Sequence, residues 1–286
     1  IKCQLNHHWK AKLTLSSNKS DALASFYSLQ PLRISHRTTF RPYSMPCFSS
    51  SNRISGGLSY QNLATMLFCN LTIAYNEEQR ESYIDYGYTS QHTILTEKNG
   101  KNRSRSFMIN SDWGKSFTNA GLSLKSSLAY SLSTYLLSQS NLQTSNHANV
   151  LALEVVADYQ KVKWMRLNIK LRGSLFWDRN AYAHSDALSS VASDVSVYLF
   201  PTKRWDIRMK YHHLLNEVTP SKYKNCHMLD GEIRFKINRK LEAHCTMDNL
   251  LNTKHYIVVQ SAGLNTTRFD LPLRGRQALF GLLVHF

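Results

Sequence analysis

From Met165 the chain alternates strictly. Met165, Leu167, Ile169, Leu171, Gly173, Leu175 and Trp177 occupy odd positions, and Arg166, Asn168, Lys170, Arg172 and Ser174 fill the even ones. Successive side chains on a strand point to opposite faces, so this period predicts a strand with one apolar and one charged face. The same pattern returns at Trp205, Ile207, Met209 and Tyr211 against Arg204, Asp206, Arg208 and Lys210, and again at Leu229, Ile233, Phe235 and Ile237 against Asp230, Glu232, Arg234 and Lys236. Leu122, Leu124, Leu128, Tyr130 and Leu132 oppose Ser123, Lys125, Ser127, Ser131 and Ser133 in like manner. A helix cannot hold a pattern of period two on one face. Read this way, the chain has fourteen strands, at 8–16, 22–29, 32–40, 64–76, 80–92, 103–113, 118–137, 147–159, 162–177, 187–200, 203–216, 227–238, 241–250 and 276–286. The alternation is weakest over 22–29 and 80–92.

Connections between these strands alternate in expected length. Residues 30–31, 76–79, 114–117, 160–161, 201–202 and 239–240 read as tight turns, whereas 17–21, 41–63, 93–102, 138–146, 178–186, 217–226 and 251–275 read as longer loops. Tight turns at one end and long loops at the other characterise an outer-membrane barrel. With the tight turns on the periplasmic side, Trp9, Trp113, Trp164 and Trp205 fall at the periplasmic ends of their strands and Trp177 at the external end. Indole favours the headgroup level, so these five are candidates for an aromatic girdle. At the carboxy-terminus Phe280, Leu282, Val284 and Phe286 form an apolar stripe closing on an aromatic residue, the pattern of a barrel insertion signal.

Composition changes the picture little. Lys+Arg 35 against Asp+Glu 19 gives +16, but only 19% of residues are charged and no basic run of five occurs, which excludes a basic tail and speaks against a nucleic-acid partner. The mean hydropathy of −0.37 and the lack of any long apolar run exclude helical membrane spans only, because a barrel strand keeps a polar residue at every second position. Cys3, Cys47, Cys69, Cys226 and Cys245 are widely spaced and match no metal motif, and a Cys47–Cys226 bridge stays open. No hydrolase elbow, zinc-protease, phosphate-loop or dinucleotide motif is present, so neither an enzyme nor a cofactor is expected. The neighbouring pairs His7-His8 and His212-His213 look like metal pairs, but adjacent residues on a strand face opposite ways and cannot chelate together.

Asp248-Asn249-Leu250-Leu251-Asn252, Lys254-His255-Tyr256, Arg274-Gly275-Arg276 and the last strand to Phe286 resemble the carboxy-terminal end of TonB-dependent outer-membrane receptors. The segment 29–60, with Pro42 and Pro46 in its loop, is similar to the Bacteroidetes branch of that family. The resemblance implies a twenty-two-stranded barrel with an N-terminal plug, whereas this chain supplies about fourteen strands, nothing like a plug and nothing like a TonB-binding segment. Residues 1–286 are therefore expected to form one domain, the carboxy-terminal part of such a barrel in a bacterial outer membrane. The resemblance further implies uptake of a scarce nutrient such as a ferric siderophore or a glycan. Implied partners are outer-membrane lipid, the TonB complex through an N-terminal part outside this sequence, and a surface substrate-binding lipoprotein.

The same register turns Arg166, Lys170, Arg172, Arg204, Arg208, Lys210, Arg234 and Lys236 toward the lumen, with Asp206, Asp230 and Glu232 as partial compensation. A basic wall attracts anionic solutes, unless these groups pair with one another's neighbours or with a plug. A stand-alone passive channel with a basic lumen and a soluble β-sandwich binding module are the alternative readings. Backbone groups on an open edge in lipid are unsatisfied, so strands 8–16 and 276–286 are expected to close on each other or on further strands.

Overall fold

The computed structural model describes residues 1–21, 30–43, 47–89, 91–182, 187–219, 221–262 and 265–284. These form β1 Lys2–Gln4, β2 Trp9–Asp21, β3 Leu32–Ser35, β4 Thr38–Arg41, β5 Phe48–Asn62, β6 Leu67–Tyr88, β7 Thr93–Phe117, β8 Leu122–Gln139 and β9 Leu142–Tyr159. There follow β10 Met165–Arg179, β11 Leu188–Leu199, β12 Trp205–Thr219, β13 Lys222–Lys236, β14 Leu241–Asp248, β15 His255–Ala262, β16 Asn265–Pro272 and β17 Gln277–Val284. Fifteen strands make one all-β, up-and-down sheet whose main path is β1-β2-β5-β6-β7-β8-β9-β10-β11-β12-β13-β14-β17. Every pairing along this path is antiparallel. The hairpin β3–β4 joins through β4, which runs parallel to the start of β7, and β15–β16 forms a separate two-stranded sheet.

The sheet has almost no interior. Among the described residues, the buried apolar side chains are Cys47, Ala74, Leu137, Ala192, Leu214 and Cys226. A sandwich of this length would bury dozens, so the second layer a soluble module needs is missing. Instead, cross-strand rows place apolar groups side by side on one face. One row reads Tyr159, Leu167, Val197, Met209, Gly231, Met247 and Ala278, and the next Met165, Leu199, Ile207, Ile233, Cys245 and Phe280. On the same face, toward the amino-terminal strands, Trp9, Tyr60, Cys69 and Trp113 share a row, as do Leu15, Ile54, Tyr75, Phe107 and Leu132. This apolar belt crosses every long strand.

Rows and turns do not run parallel. Leu122 is the first residue of β8, yet its row reaches Leu167, Met209 and Met247, the third, fifth and seventh residues of β10, β12 and β14 from the same end of the sheet. The strands are therefore staggered, as tilted barrel strands must be. Among the described residues closure is not reached: β17 pairs only with β14, β1 only with β2, and these two edges do not meet.

Several expectations are corrected. Strands 64–76 and 80–92 are one continuous strand, β6, and the expected turn at 76–79 lies in its middle. The expected loop 93–102 is the first part of β7, where a bulge near Gly100 advances the register three residues on β7 for two on β6. That bulge, and tyrosines on both sides of the strand, blurred the alternation. The expected loop 41–63 contains β5, whose serines and glycines read as loop but take ladder bonds from both neighbours. Strand 32–40 is the tight hairpin β3–β4, strand 8–16 extends to Asp21, and the turn at 114–117 sits at 118–121. Expected loops 138–146 and 217–226 shrink to two residues each, 140–141 and 220–221, and 251–275 carries β15 and β16. Strand 22–29 lies outside the described residues. The short/long sorting of loops consequently fails: connections at 63–66, 118–121, 160–164, 200–204 and 237–240 are short, but so are 89–92, 140–141 and 220–221 at the opposite end. Polar segments that look like loops continue the ladder as hairpin extensions. No disulfide links the described cysteines, so the open Cys47–Cys226 pairing is not made.

Candidate functional site

Opposite the apolar belt, the sheet presents charges in register. The even residues of β10, β12 and β13 share this face, which places Arg166, Lys170, Arg172, Arg208, Lys210, Arg234 and Lys236 together. Arg204 lies in the turn just ahead of β12. Tyr256 of β15 packs against the cluster Ala192, Leu214 and Cys226 on the same face. A cavity of about 400 Å³ opens there, lined by Ser127, Glu154, Arg172, Ser190, His212 and Tyr256 among others. A second cavity of about 390 Å³ lies beside it over Asn70, Asp112, Lys125 and Glu154.

Four cations on this face are met by acids on the same or a neighbouring strand. Lys170 reaches Glu154 of β9 at 2.8 Å, and Arg172 reaches Asp194 of β11 at 2.6 Å. Arg208 binds Asp206 at 2.7 Å and Glu232 at 3.4 Å, and Arg234 holds the same Glu232. His212 Nδ1 lies 2.5 Å from the second oxygen of Asp194. Asn168 donates to Asp158 at 2.5 Å. Arg166 stacks over the Phe200 ring at 5.9 Å, and Lys210 stands directly across from Asp230. Half of the eight expected wall cations thus have a carboxylate partner. Asp206 and Glu232 were foreseen as compensation; Glu154, Asp194 and His212 were not, and aligning β9, β11 and β12 against β10 would have found them.

The tryptophans take positions at strand ends. Trp9 packs on Tyr60 with ring centroids 4.8 Å apart, and Trp205 on Phe235 at 4.5 Å. Trp113, Trp164 and Trp205 are 56%, 53% and 40% exposed at the end bearing turns 118–121, 160–164 and 200–204. Trp177 stands at the other end of β10, 6.5 Å from the Tyr130 ring on the apolar face. In the last strand Phe280 and Leu282 extend the apolar rows through Cys245 and Ala243 and stay 82% and 68% exposed, with Val284 opposite Leu241. Phe286 lies outside the described residues. His212 and His213 do separate to opposite faces: His213 stacks on His227 at 4.4 Å while His212 turns to Asp194. Among the described residues no group of three metal-binding side chains forms.

No family model and no curated protein matches the chain. Among solved structures it is similar to the ferric yersiniabactin uptake receptor FyuA from Yersinia pestis, with TM-score 0.46 and 9% identity over 93% of this chain and 46% of that one. It is similar to FpvAI in its complex with pyocin S2, with TM-score 0.42 and 8% identity over 86% of this chain and 48% of that one. A third similar structure is the translocator domain of the autotransporter NalP from Neisseria meningitidis, with TM-score 0.30 and 6% identity over 98% of this chain and 89% of that one. The chain spans about half the length of the first two.

Proposed function

We propose that this chain is wall sequence of a transmembrane β-barrel in a bacterial outer membrane, with the apolar belt toward lipid and the charged face toward the lumen. The belt carries the reading. Leu15, Ile54, Ile73, Leu128, Leu153, Leu171 and Met209 are exposed and lie on one face of a sheet with no second layer. An apolar patch of that extent has no stable place in water. Its height agrees with a bilayer. From Trp164 to Trp177 the chain advances roughly 43 Å at ~3.3 Å per residue, which a tilt near 45° reduces to about 30 Å, the thickness of a hydrocarbon core. The open edges are closed by further strands of the complete protein.

Within that architecture the chain serves nutrient uptake as part of a TonB-dependent receptor, taking a ferric siderophore or a glycan; the carboxy-terminal motif around Asn249 supports this. Asn249 Nδ2 donates to the Thr253 and Arg274 carbonyls at 2.8 and 2.7 Å, and its Oδ1 accepts from the Thr253 N–H. The motif thereby pins the two ends of the long excursion between β14 and β17. The plug, the TonB complex and a surface lipoprotein are partners of this reading. With half of the wall cations paired, the lumen presents ion pairs and cavities, and its positive field is reduced.

Assembly tests it. Ile169→Arg puts a guanidinium on the lipid side, at about 2–4 kcal/mol near the midplane, while Asn168→Arg points into the lumen. Membrane-inserted, heat-modifiable protein is expected to fall sharply for the first and little for the second. Equal losses contradict the assignment of faces.

A further inference from the structure

Three consecutive turns at the Trp164 end, 160–164, 200–204 and 237–240, contain Lys161, Lys163, Lys203, Arg204, Arg239 and Lys240 and no carboxylate. All six side chains belong to exposed residues. Among the described residues, the ion pairs of this part of the sheet engage other cations: Lys170, Arg172, Arg208 and Arg234. Of the acids nearest these turns, Asp158 is engaged by Asn168 and Asp206 by Arg208, while Glu242 stands in β14 across from Lys236. The two-residue turn 140–141 at the opposite end carries no charge. This stretch of the rim is therefore strongly basic.

Two features set what this rim meets. Trp164 lies within the first turn and Trp205 directly follows the second, both well exposed, and indole settles at headgroup depth. Lysines and arginines at or just beyond that depth reach the phosphate layer, with their methylenes along the interface. Successive turns are two strands apart, roughly 10 Å, so six cations line about 20 Å of rim. We propose that this rim binds the phosphates of anionic phospholipids in the adjoining leaflet and so fixes the height of the sheet in the membrane. The proposal rests on the membrane reading above, and concerns a different surface from the lumen face.

The test uses the full chain with Trp9, Trp113 and Trp177 replaced by Phe, leaving Trp164 and Trp205 as reporters. It is reconstituted in phosphatidylcholine vesicles containing a minor share of phosphatidylglycerol, with bromine on the acyl chains of one lipid or the other. Brominated phosphatidylglycerol is expected to quench as if enriched about fivefold at the rim, a preference that fades as salt is raised. Changing all six basic residues to Gln should bring quenching by the two lipids to parity at equal mole fraction. Millimolar inorganic phosphate at matched ionic strength should leave the preference intact; its abolition would mean a free-phosphate site and overturn the lipid assignment. Parity in the unsubstituted turns overturns the proposal and leaves the membrane reading standing, as would be the case if the rim served an acidic protein. A preference that survives the six Gln changes also overturns it. No quenching by either lipid overturns the membrane reading, and this inference with it.

Discussion

Asp85 shows how single groups hold the part of the sheet beyond the belt. It is 6% exposed, with Lys98 Nζ at 2.8 Å, while the Ser138 hydroxyl donates to it at 2.7 Å and the Asn141 N–H at 3.0 Å. Burial alone pushes its carboxyl up, but Lys98, Ser138 and Asn141 together outweigh that and hold it below the usual carboxylate range. The folded state therefore favours the charged form. Its contribution is complete above the ordinary value of about 4 and disappears as pH falls through the lower folded value. Asp85→Asn should cost about 1–3 kcal/mol of local stability at neutral pH. Amide exchange in the turn 139–142 is the readout: acidification through this window should bring the unsubstituted chain toward the Asn variant, which itself stays flat. A variant that loses protection in parallel with the unsubstituted chain would show that another group titrates.

At the scale of elements, turn chemistry decided what could be read. Ser140 and Asn141 both have positive φ, 51° and 69°, the conformation of a type I′ hairpin turn. Nothing in Ser-Asn announces that turn as Asn-Gly would, so the polar stretch around it reads as loop. Replacing the pair by Asn-Gly should stabilise the β8–β9 hairpin by about 0.5–1 kcal/mol, and Val-Val should destabilise it by more, since β-branched residues resist positive φ. Denaturant midpoints of the assembled protein measure both; a gain from Val-Val would contradict the turn assignment. The strands from β8 to β13 were legible because each carries an apolar residue at every second position over most of the belt. β5 was not, since its apolar face is interrupted by Gly56 and its other positions are mostly serine, and only pairing with β2 and β6 makes it a strand. The β15–β16 hairpin was hidden for a different reason, because Tyr256, Ile257, Val258 and Val259 run apolar without alternation.

For the whole molecule, the division of faces was legible and the charge balance was not. Counting basic residues on alternate positions of single strands finds the cations; Glu154 and Asp194 become their partners only through the register of adjacent strands. Neither could closure be read, and the sheet leaves its two edges apart. The central claim is that one face meets lipid and the other water. Single cysteines at positions 165 to 176, in a chain whose native cysteines are replaced by Ala, can each carry a nitroxide and be read for collision with oxygen, which concentrates in lipid, and with a water-soluble nickel chelate. Oxygen access should peak at 165, 167, 169, 171, 173 and 175 and chelate access at 166, 168, 170, 172, 174 and 176, two profiles of period two in opposite phase. Profiles in phase, or without the two-residue period, would contradict the account.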